Sequence, residues 1–96
     1  MTEEVSDDAN WGKIPERMRG ALARWIQHGI APGDFLTAVL KNDLAEACLR
    51  ADDENIHLLC DYIKFLQNYA PMGCWGSPKD FDNWQRRVRV GEKNRA

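Results

Sequence analysis

One uninterrupted stretch, DDENIHLLCDYIKFLQNYA from Asp52 to Ala70, constrains this chain more than any other. At 3.6 residues per turn, Ile56, Leu59, Ile63, Leu66 and Ala70 share one stripe, and Leu58, Tyr62, Phe65 and Tyr69 share a second. Polar residues keep to a narrow line of His57, Asp61, Lys64 and Asn68. A helix apolar on most of its circumference is normally the buried centre of a bundle. Asp52 or Asp53 is placed to cap its free amides, and Glu54 suits the positive end of its dipole. Pro71 ends it, because the residue before a proline avoids helical geometry. The predicted central helix spans about residues 53–70.

The flanking segments read as shorter helices. The first runs from Ile14 to His28, with Pro15 in its first turn, where a missing amide costs nothing. Ile14, Met18, Ala21, Leu22 and Trp25 form its inner stripe, and Gly29 closes it by turning left-handed. Gly20 in mid-helix suggests a close helix crossing. Asp34 reads as the cap of a second helix, Phe35 to Lys41. Asp43 and Glu46 read as the capping box of a third, Leu44 to Ala51, whose inner face is Leu44, Ala47, Cys48 and Ala51. After the loop PMGCWGS, Ser77 caps a last helix with Pro78 first, Phe81, Trp84 and Val88 inward, and Gly91 as its end. No strand pattern competes. The expected fold is all-α, a compact bundle of about five short helices around the helix at 53–70.

A chain of 96 residues has room for one domain. The expected division is an acidic disordered tail at 1–10, a single helical domain at 11–90 and a basic disordered tail at 91–96. The net charge of −2 conceals this asymmetry. Glu3, Glu4, Asp7 and Asp8 crowd the start, while Arg86, Arg87, Arg89, Lys93 and Arg95 outnumber Glu92 at the end. No apolar run approaches the roughly 18 residues that cross a bilayer, and MTEEVSDDAN lacks the basic opening of a signal peptide. A soluble cytoplasmic protein is expected, a monomer or small homo-oligomer. Three cysteines cannot all pair within one chain. Cys48 and Cys60, at apolar helix positions, are expected to be buried free thiols of a reducing compartment.

The segments GIAPGDFLTAVLKNDLAEACLRAD (from Gly29) and FLQNYAPMGCWGSP (from Phe65), followed by Trp84, resemble a group of small proteins encoded by tailed phages and prophages. The matching positions are Gly29 to Leu44, Arg50 to Asp52, Trp75 to Ser77, and Trp84, and the resemblance covers roughly residues 14–85. Both charged tails fall outside it. The resemblance implies an accessory protein made in the cytoplasm of an infected bacterium, of a kind that often binds one host protein, defence complexes included. It brings no activity and no site residues with it.

The residues themselves bear on four kinds of chemistry. His57 and Cys60 lie three apart, with Cys48 and Cys74 elsewhere, but a structural zinc site brings paired close ligands and this chain has none; no metal or cofactor is expected. Asp43, Glu46, Asp52, Asp53, Glu54 and Asp61 form an acidic run of the sort that holds magnesium in helical nucleotide hydrolases. No Glu-x-x-Glu pair accompanies it, several members serve as caps, and no nucleophile elbow or phosphate-binding loop is present. No enzyme is expected. A nucleic-acid reading rests on Arg86, Arg87, Arg89, Lys93 and Arg95, whose bland alternative is a solubilising end.

The leading expectation is protein binding. Four tryptophans are many for such a chain, and Trp75 stands with Met72 in a glycine-flanked loop, where an aromatic serves either as an interface anchor or as a plug for the bundle's end. Trp75, Met72 and the charged turn Asp52, Asp53 and Glu54 are the expected contact residues.

Overall fold

The computed structural model describes the backbone of residues 11–93 and the side chains of residues 11–91. Five α-helices and one 3₁₀ turn make up the described part, with no strand among those residues: α1 Glu16–His28, α2 Asp34–Leu40, α3 Leu44–Arg50, the turn Asn55–Leu58, α4 Leu59–Tyr69 and α5 Pro78–Lys93. The chain is a small all-α bundle, as its periodicity predicts. The tail at 1–10 and Arg95 lie outside the described residues.

Local signals set most boundaries. Gly29 takes φ 68° and returns its N–H to the Trp25 carbonyl at 2.9 Å, closing α1. Glu46 N–H reaches Asp43 Oδ1 at 3.2 Å, and Asp80 N–H reaches Ser77 Oγ at 3.0 Å, so both predicted caps form. Asp34 is not a cap: Gly33 holds that position, and Asp34 is the first residue of α2. Its carboxylate instead lies 3.7 Å from Arg50 Nη1, while Thr37 Oγ1 donates to the Pro32 carbonyl at 3.1 Å.

The core is organised by aromatic rings. Trp25 of α1 has no exposed surface and stacks on Phe81 of α5 at 4.2 Å. Its carbonyl accepts from Trp84 Nε1 at 3.3 Å, and its own Nε1 donates to the Cys74 carbonyl at 2.9 Å. Trp11 stacks on Phe65 at 4.7 Å, and Phe35 meets Tyr62 edge-on at 5.3 Å, so α2, α4 and the chain before α1 close the other side. At the end of α1, a Cβ on Gly29 would sit 3.2 Å from both the Gln85 carbonyl oxygen and Arg89 Cγ. Only glycine combines that close approach with a left-handed backbone.

Several expectations are corrected. The stretch at 53–70 divides: its first residues form the 3₁₀ turn, and α4 begins at Leu59. The break follows from Asp52, whose Oδ1 accepts the Asn55 amide at 2.8 Å, and from buried Asn55, whose Oδ1 accepts the Tyr62 hydroxyl at 2.6 Å. Tyr62, Phe65 and Leu66 of α4 point inward, whereas Ile56, Ile63 and Tyr69 are exposed. In α3 Ala47 is buried, but Leu44 is 68% exposed and Cys48 lies on the surface. Gly20 marks no helix crossing, since a Cβ there would meet nothing but the Arg24 guanidinium. Gly91 does not end α5, because it lacks the left-handed geometry that closes a helix; the helix continues to Lys93, inside the segment expected to be tail.

The expected burial of Cys48 and Cys60 is corrected as well. Cys48 and Cys60 are exposed, and Cys74, in the loop, is fully buried. Burial pushes the Cys74 thiol up to about 12 from 9.0, since a thiolate there would be stripped of water. Native protein at pH 8 should therefore give up two thiols quickly to a chromogenic disulfide, the third only after denaturation. Rapid reaction of all three would show that Cys74 is not sealed in the core.

Candidate binding surface

The loop PMGCWGS, residues 71–77, joins α4 to α5, and its two glycines make its shape possible. Gly73 takes φ 91° and Gly76 φ 131°, both costly for a residue with a Cβ. Between them Cys74 turns inward, where its carbonyl takes the Trp25 indole, and the Gly76 amide donates to the Leu40 carbonyl at 2.9 Å. The loop is thereby fixed to α1 and to the end of α2. Trp75 is half-buried and packs against the core. Met72 is 94% exposed.

Arg87 of α5 belongs to the same corner. Its Cζ lies 5.2 Å from the centre of the Trp84 ring, and a Cβ on Gly73 would come within 3.3 Å of its Nη2. The remaining basic positions divide by helical spacing. Positions 86, 89 and 93, at steps of three and four, share one stripe of α5, while Arg87 lies on the opposite flank. Arg86 Nη1 donates to Asn83 Oδ1 at 3.3 Å, and the Arg89 stem runs past Gly29.

The charged turn stands elsewhere. Arg17 in the first turn of α1 donates through Nη2 to Asp52 Oδ2 at 2.9 Å and to Glu54 Oε1 at 2.7 Å. Cys74 meets α1 at Trp25, eight residues on, so the turn and the loop are separated by about 12 Å along that helix. The structure does not bring Asp52, Asp53 and Glu54 together with Met72 and Trp75. Asp53 is exposed, whereas Asp52 and Glu54 clasp Arg17. The sequence offers no sign of this clasp, because its partners are 35 and 37 residues apart.

The Asn55 amide at its Oδ1, and then Arg17, hold the Asp52 carboxyl below its usual value of 3.8. A carboxyl whose pKa is depressed by folding adds stability above its unfolded pKa, and loses it as pH falls through the folded one. Asp52→Asn should therefore flatten the acid side of the stability curve below about pH 4. Identical acid transitions in the two proteins would detach Asp52 from that dependence.

Among the described residues, no group of three or more His, Cys, Asp or Glu side chains converges as a metal site would require. His57 and Cys60 are both exposed, away from buried Cys74. No helix among these residues is long and apolar enough to cross a membrane. No protein-family model, curated protein or solved structure matches the chain.

Proposed function

We propose that this chain is a non-enzymatic phage accessory protein that binds and modulates a host protein or a defence complex. The observation carrying this reading is Met72, held 94% exposed on a loop whose backbone is pinned to the core on either side of Trp75. A large adaptable apolar side chain on a pre-ordered loop suits an interface, since little backbone entropy remains to be lost there on binding. The resemblance to small phage proteins supports the setting.

A tagged capture from host lysate, with and without nuclease, tests it. One protein should dominate, survive nuclease, and be lost with Met72→Ala, whose effect on stability should stay within about 0.5 kcal/mol at so exposed a site. Capture indifferent to Met72→Ala and Met72→Asp would put the contact elsewhere. Trp75→Ala is a less clean probe, because removing a half-buried indole also costs about 1–3 kcal/mol of stability.

A second reading, association with nucleic acid, is favoured by the stripe at Arg86, Arg89 and Lys93. It requires affinity that falls steeply with salt and disappears in Arg86→Glu/Arg89→Glu. Capture abolished by nuclease would bring it forward.

A further inference from the structure

Resting on the protein-binding reading, we propose that the corner formed by Met72, Gly73, Trp84 and Arg87 accepts an acidic segment of the partner that also carries a large apolar side chain. Arg17 and Arg50 already hold carboxylates of this chain, Asp52 and Glu54 for the first, Asp34 and Glu46 for the second. Arg87 has no carboxylate within ion-pair distance among the described residues. Its guanidinium carbon lies 5.2 Å from the centre of the Trp84 ring, and the fork of N–H donors it carries matches the geometry of a carboxylate.

Gly73 gives the arrangement its shape. Any side chain there would crowd Arg87 Nη2, so the bare loop backbone lets the guanidinium lie beside the residue that follows Met72. A cation beside Gly73, with the almost fully exposed Met72 on the preceding residue of the loop, offers one charged and one apolar contact to the same ligand. Methionine, tryptophan and arginine are also the residues that interface cores favour.

A carboxylate-bearing segment fits this corner better than a nucleic-acid backbone. Arg87 is a single cation on its flank of α5, with acidic Asp80 seven positions before it, whereas a run of phosphates is held by a row of cations. The basic positions that fall in a row along α5 are those of the opposite stripe, at 86, 89 and 93. A single fork beside an apolar contact matches one or two Asp or Glu side chains flanking a Leu, Ile or Phe.

A display library of random short peptides, selected against the full-length protein, tests the proposal, with oligothymidylate as the phosphate probe. Enriched peptides should pair Asp or Glu with a large apolar residue. Their affinity should fall about tenfold with Arg87→Ala and with Met72→Ala, and Arg87→Lys should restore only part of it, because lysine lacks the planar fork. Circular dichroism of each variant excludes loss of fold as the cause. Peptides without acidic residues, affinity indifferent to Arg87→Ala, or a selection that enriches nothing would overturn the proposal. So would oligothymidylate binding that depends on Arg87. Peptides that need Met72 but not Arg87 would remove the acidic partner and leave the protein-binding reading standing, whereas lysate capture indifferent to Met72 would remove that reading itself.

Discussion

Trp25→Ala is expected to remove about 3–5 kcal/mol of folding stability. A 96-residue domain has roughly 5–14 kcal/mol in total, so the variant should be marginal or unfolded at 37 °C. Three separate losses coincide at this position. The stack on Phe81 goes, a cavity the size of an indole opens between α1 and α5, and the Cys74 carbonyl loses its donor. Trp25→Phe separates them: it keeps an aromatic ring but leaves that carbonyl unsatisfied, at about 1–3 kcal/mol. Urea denaturation followed by circular dichroism gives both values. A Trp25→Ala loss below about 1 kcal/mol would show that the ring is not the keystone its burial implies.

The second large effect is expected at the buried pair Asn55 and Tyr62. Asn55→Ala strands the Tyr62 hydroxyl in the core, and Tyr62→Phe strands Asn55 Oδ1; each should cost about 1–3 kcal/mol. Removing both partners together, as Asn55→Ala/Tyr62→Phe, should cost less than the sum of the two singles, because no polar atom of the pair is then left unpaired. Strict additivity would mean that the 2.6 Å contact contributes nothing. The same pair predicts alkaline sensitivity. Burial holds the Tyr62 hydroxyl well above its ordinary value of 10.0, so the folded chain keeps a proton that the unfolded chain gives up. Stability present below that value should fall as pH rises beyond it, with Cys74 adding to the decline from 9.0 upward. Tyr62→Phe should weaken the alkaline dependence above pH 10, as read by urea midpoints.

Features decided within a few residues were legible in the sequence. The caps at Asp43 and Ser77, the left-handed Gly29, and the inner stripe of Phe81, Trp84 and Val88 depend on local geometry, and they form as read. Features decided by what stands opposite were not legible. Periodicity reports how much of a helix is apolar, not how many neighbours exist to cover it, and so few short helices leave Ile56, Ile63 and Leu44 exposed. Cys74 gave no sign of burial because its place comes from the long-range bond between its carbonyl and Trp25. Of the candidate surface, the loop was legible from its glycines and large apolar residues. The clasp of Arg17 on Asp52 and Glu54 and the seat of Arg87 on Trp84 beside Gly73 needed the tertiary structure.

The pinned loop has a dynamic consequence. Because the Cys74 carbonyl takes the Trp25 indole and the Gly76 amide reaches Leu40, the segment displaying Met72 cannot loosen without opening the core. Loop and core then form one cooperative unit, and the Gly76 amide should exchange with solvent only as fast as the whole domain unfolds. A partner held at this loop would therefore raise the melting temperature of the entire protein, by an amount that grows with the logarithm of its concentration.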